Sequence, residues 1–84
     1  MIDRIRSVLR QHGRLASDPD GLTLESDLYQ HGLTSHASVN VMLALEDAFE
    51  VEFPEAMLRR RTFESLGQIA SSLESLLGAR PAAV

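Results

Sequence analysis

Cysteine is absent from this chain. Disulfides, thiolate metal ligands and a protein-borne nucleophilic thiol are therefore excluded, and any sulfur chemistry has to arrive on an added group. Long apolar runs are missing too: nothing approaches the ~18 to 20 residues that cross a bilayer, and the opening MIDRIRSVLR is charged throughout, unlike a signal peptide. A cytoplasmic location without membrane partners is the expectation. No repeat, strand-like alternation or heptad pattern is visible. Cations are missing locally, since residues 17 to 55 hold nine acids and no Lys or Arg. A surface of that kind repels nucleic acid and attracts basic protein surfaces, because like charges sum before contact forms.

What is present is one small domain's worth of chain. With 84 residues, 44% hydrophobic and 24% charged, a modest core can form. A deep cleft enclosing a substrate cannot, which weighs against an enzyme. The net charge is −4, and the arginines fall near the start (Arg4, Arg6, Arg10, Arg14) and at Arg59, Arg60 and Arg61, both read as solvated helix faces.

Helical spacing of Ile2, Ile5, Val8, Leu9 and His12 predicts a first helix over about 1 to 16, open to interruption near Gly13. The segment SDPDGLTLESDLYQHGL reads as a long loop that packs down through Leu22, Leu24, Leu28, Tyr29 and Leu33. SHASVNVMLALEDAFE is the strongest helix. Ser38, Val41, Met42, Leu45 and Phe49 share its core face, while His36, Asn40, Leu43 and Asp47 share the opposite one, with Val39 at the edge. Pro54 can open a short third helix anchored by Met57 and Leu58. Thr62 reads as the N-cap of a last helix with the stripe Leu66, Ile69, Leu73, Leu76 and Leu77, stopped by Gly78 and Pro81. The expected fold is all-α, a small antiparallel bundle of three long helices plus one short helix over residues 1–78, with 79–84 a disordered tail.

Thr34 fits an N-cap, which puts Ser35 at the first helical position, beside unpaired N–H groups and the positive end of the helix dipole. An anion linked to that oxygen would be favoured there. A hydrolase pairing with His36 is disfavoured, because neighbours on a helix point about 100° apart. His12, His31 and His36 lack metal-ligand spacing, so no metal site is expected. From position alone Ser35 remains either a helix-start residue or a point of attachment.

The stretch DLYQHGLTSHASVNVMLALEDAFEVEFPE, followed by TFESLGQIASSLESLL, resembles the acyl carrier proteins. Asp27, Leu28 and Gly32 match that family's approach to its second helix, and counting back from Ala44 to Asp47 lands its modified serine on Ser35. The resemblance implies that Ser35 receives 4′-phosphopantetheine from a phosphopantetheinyl transferase, and that the arm's thiol holds a cargo as a thioester. The missing cysteine is then explained. It also implies that the protein is a non-catalytic, monomeric carrier, docking partners through the start and outer face of the second helix: Thr34, His36, Val39, Asn40, Leu43 and Asp47. Thr34 stands where Asp or His is usual and His36 where Leu or Ile is usual. In that helix acids begin only at Glu46, unlike in carriers of fatty-acid synthesis. The sequence is most similar to the small bacterial aminoacyl carrier proteins, loaded by a synthetase-like amino acid:carrier protein ligase. An acyl, polyketide or peptidyl carrier, or a helical interaction module without a prosthetic group, are the alternatives.

Overall fold

The computed structural model describes residues 1–78; the expected tail and Pro81 lie outside the described residues. Those residues fold as an all-helical unit. Helix α1 (Ile2–Val8) runs directly into a π-helical turn over Leu9–Gly13, and Arg14 ends it in the left-handed conformation at φ 52°. The first helix thus stops at Gly13, short of residue 16. Helix α2 spans Ser35–Phe49 and α3 spans Leu66–Gly78. Where a short third helix was expected, two 3₁₀ turns stand, Glu55–Met57 and Arg60–Phe63. Pro54 precedes the first of these with ψ 158°, extended backbone rather than the opening turn of a helix.

Apolar side chains from every segment meet in one core. Ile5 and Leu9 come from the first helical segment, Val41 and Leu45 from α2, and Leu66, Ile69 and Leu73 from α3; all are fully buried. Ala37 is also buried on α2. Its small size hid it from the periodicity. His12, counted in the first stripe, is exposed, because the π turn widens the helix and rotates residue 12 out of phase with Ile5 and Leu9. Phe53 and Phe63 close the other end, ring centroids 5.5 Å apart and tilted by 57°, a favourable aromatic arrangement.

Residues 17–33 are a loop that the core and hydrogen bonds hold in place. Leu22, Leu28 and Leu33 are buried, while Leu24 stays exposed. Arg6 is not on a solvated face: it is half-buried and donates to the Pro19 carbonyl at 2.7 Å and the Leu22 carbonyl at 2.9 Å. Arg10 pairs with Asp20 at 2.7 Å. The Leu28 N–H donates to the Glu64 carbonyl at 2.7 Å, and the Gly67 N–H to the Leu24 carbonyl at 3.0 Å. These bonds fix the loop between α1 and the start of α3, satisfying backbone groups that a buried loop would otherwise strand.

The cap of α3 is Ser65, not Thr62. The Ser65 hydroxyl accepts from the Gln68 N–H at 3.2 Å. Thr62 is buried inside the preceding 3₁₀ turn. That turn consumes the residues after Arg59, so the α-helix begins one turn later.

A cleft at the start of helix α2

Thr34 leaves the loop with extended backbone, and its Oγ1 accepts from the Ala37 N–H at 3.0 Å. This is the N-cap expected from the sequence. The approach to it is built by Gly32, at φ 109°, whose missing Cβ would lie 2.9 Å from the Ala16 nitrogen. Ala16 donates to the His31 carbonyl at 2.7 Å, and the Ser17 hydroxyl lies 3.1 Å from His31 Nδ1. The chain is thereby delivered to Thr34 in one register.

Ser35 follows as the first residue of α2, exposed. Among the described residues its hydroxyl enters no hydrogen bond, whereas its carbonyl accepts from the Ser38 hydroxyl at 2.7 Å. No hydrogen bond joins Ser35 to His36, as helix geometry requires. Among the described residues no group of three or more His, Cys, Asp or Glu could hold a metal.

Ser35 stands at the edge of a cleft of about 420 Å³ between α2 and the 3₁₀ segment. Ser38, Val39 and Met42 line it from α2, three, four and seven positions on, and so share one helix face with Ser35. Leu58, Arg59, Arg60 and Phe63 form the far wall, and Tyr29 comes from the loop. This explains why Ser38 and Met42, expected in the core, are only half-buried. Leu58, expected as an anchor, is 49% exposed for the same reason. Tyr29 spans the cleft: its hydroxyl donates to the Arg60 carbonyl at 3.1 Å, and the Arg60 guanidinium lies 4.1 Å from its ring centroid. Burial raises the Tyr29 phenol above its ordinary pKa, opposed by the neighbouring Ser38 hydroxyl and by the Arg60 charge.

The six residues expected to dock partners are all exposed, and they border three different depressions. Val39 belongs to the Ser35 cleft. Thr34, His36 and Asn40 border a second depression with Arg14 and Gly32. Asn40, Leu43 and Asp47 border a third with Gln11 and His12. Tyr29, Arg59 and Arg60 were not singled out from the sequence as site residues. Nothing in their spacing ties them to Ser35, since the loop and the 3₁₀ turn meet only in the folded chain.

Known proteins are similar to this chain in sequence and in shape. A curated aminoacyl carrier protein of Agrobacterium fabrum is 40% identical over 79 residues, 94% of this chain and 95% of the relative. A crystal structure of an engineered Bradyrhizobium japonicum glycine:[carrier protein] ligase, complexed with carrier protein from Agrobacterium tumefaciens and AMP, contains a chain with 40% identity and a TM-score of 0.86. The likeness covers 88% of this chain and 99% of that one. A solution structure of an Agrobacterium tumefaciens protein matches at 39% identity and TM-score 0.76, covering 95% of this chain and 96% of that one. The model of the phosphopantetheine attachment site matches residues 3–78. An exposed, unengaged serine hydroxyl at a helix start, in a fold shared along nearly the whole chain, agrees with that match, and the chain belongs to the phosphopantetheine-attachment family.

Proposed function

We propose that Ser35 is the attachment point of 4′-phosphopantetheine and that the protein is a non-catalytic carrier of an amino acid, loaded by a separate ligase. The observation that carries this reading is the Ser35 hydroxyl: exposed, unengaged, and set on the first turn of a capped 15-residue helix. Its surroundings fit the group. The free N–H groups of that turn and the helix dipole favour a phosphodiester, and the adjoining cleft offers a mostly apolar floor. When bound, the arm supplies a terminal thiol that holds the amino acid as a thioester.

The chain itself has a limited role in loading. Ser35 Oγ forms a bond to phosphorus as the pyrophosphate linkage of coenzyme A breaks; adenosine 3′,5′-bisphosphate leaves, and the serine proton passes to a base of the transferase. Among the described residues no base is bonded to Ser35, so the transferase provides it. The 40% identity to an aminoacyl carrier protein and the likeness to a chain in a complex with a glycine:[carrier protein] ligase support an amino acid as cargo. Thr34, His36, Val39, Asn40, Leu43 and Asp47 form the face that meets the ligase. Val39 and Leu43, 51% and 53% exposed, supply the apolar contact. A tethered cargo reaches a docked enzyme at high effective concentration, which is what a carrier contributes without catalysing anything.

Incubation of the apo-protein with coenzyme A and a broad-specificity phosphopantetheinyl transferase tests the reading. The intact mass rises by one phosphopantetheinyl group, and Ser35→Ala abolishes the gain. An unchanged mass in the unmutated protein leaves only a helical interaction module.

A further inference from the structure

Resting on Ser35 as the attachment point, we propose that Arg60, held over the Tyr29 ring, binds the phosphodiester at Ser35 and turns the arm into the cleft.

Four observations lead there. Arg60 and Ser35 line the same cleft, so an anion on the serine faces this guanidinium across a shared space. Tyr29 secures Arg60 at both ends, its ring under the guanidinium at 4.1 Å and its hydroxyl on the Arg60 carbonyl at 3.1 Å. Tyr29 and Ser38 line the same cleft, and the Ser38 hydroxyl bonds the Ser35 carbonyl at 2.7 Å, so polar groups extend from residue 60 toward residue 35. Finally, the cation is uncommitted: among the described residues ion pairs form only at Arg10, and the neighbouring Arg59 already spends its Nε on the Ala56 carbonyl at 2.8 Å.

The chemistry suits the ligand. A guanidinium presents a planar fork that binds two phosphate oxygens at once, and an arginine stacked on an aromatic ring loses less freedom in doing so. Between Asp27 and Glu46 the sequence holds no acid, so no carboxylate on α2's first turns competes for the cation. Asp27 and Glu64, whose charges reach the Tyr29 phenol, form no ion pair with Arg60 among the described residues. A phosphodiester drawn toward Arg60 points the arm along Val39, Met42, Leu58 and Phe63.

The test compares apo and holo forms of the unmutated protein with those of Arg60→Gln, Arg60→Lys and Tyr29→Leu, each holo form verified by mass. Modification is expected to raise the thermal midpoint of the unmutated protein by about 2 to 4 °C, and Arg60→Gln to remove more than half of that rise. Arg60→Lys restores part of it, having the charge without the fork. The phosphorus NMR shift of the holo-protein moves in Arg60→Gln, and in Tyr29→Leu to a lesser extent. A residue that merely supports the fold lowers apo and holo midpoints equally, and the difference between differences cancels that effect. An equal rise with and without Arg60, or an unmoved phosphorus signal, overturns the proposal; should Arg60→Gln not fold, the same outcomes are read from Tyr29→Leu. Failure of the unmutated protein to gain mass refutes attachment at Ser35 itself, and is seen before any comparison.

Discussion

Gly32 passes Ala16 so closely that a Cβ on residue 32 would meet the Ala16 nitrogen at 2.9 Å. That nitrogen cannot retreat, because it donates to the His31 carbonyl at 2.7 Å. With φ at 109°, the backbone at residue 32 also occupies a region that side chains rarely tolerate. Gly32→Ala is therefore expected to destabilise the fold by roughly 2 to 3 kcal/mol, the sum of strain and a broken turn. Thermal unfolding followed by circular dichroism checks this, at about 4 to 8 °C for each kcal/mol in a domain of this size. A loss no greater than that of an exposed Gly21→Ala control, where nothing lies within 4 Å, would contradict it.

Removing the cap at Thr34 should cost about 1 kcal/mol, because the Ala37 N–H loses its acceptor. Thr34→Ser keeps an oxygen in reach and should retain most of the stability, and Ser65→Ala should behave like Thr34→Ala at the start of α3. Urea unfolding midpoints of the four proteins distinguish these outcomes.

Ser35→Ala, by contrast, should leave stability within about 0.5 kcal/mol, since the hydroxyl is exposed and, among the described residues, unbonded. Loss of modification together with an unchanged midpoint is the expected pair. A large fall in stability would point to a structural duty for this side chain.

At Leu43, 53% exposed on the outer face of α2, an aspartate should not disturb the fold but should slow loading by the partner ligase at least tenfold. The proposed contact is apolar, so the rate for the unmutated protein should change little between ~50 and ~200 mM salt. Ligase kinetics on Leu43→Asp and on the unmutated carrier measure both quantities. A steep salt dependence would move the docking surface toward the charged residues.

Much of this molecule was legible in its order of residues. Helix α2 has the expected start because Thr34 caps it through a bond spanning three residues, and such local chemistry is written in consecutive letters. The stripe Leu66, Ile69 and Leu73 is buried as its spacing requires. The region 54–65 was less legible. Pro54, Thr62 and Ser65 all carry helix-start chemistry, and choosing among them depends on Phe63 packing against Phe53, ten residues earlier in the chain. The arginines near the start misled for a similar reason: a charge looks solvated until a loop brings carbonyls to it, as Pro19 and Leu22 do for Arg6.

The sequence by itself determined that the chain is helical, that α2 begins at Ser35, and that no thiol of its own is available. Those are properties of neighbours in the chain and of composition. Tertiary structure alone decided what Ser35 faces. Tyr29 and Arg60, 31 positions apart, meet beside it only because the loop hangs from the Glu64 and Gly67 backbone at the start of α3. Contacts of that range depend on how segments pack, and no local periodicity encodes them.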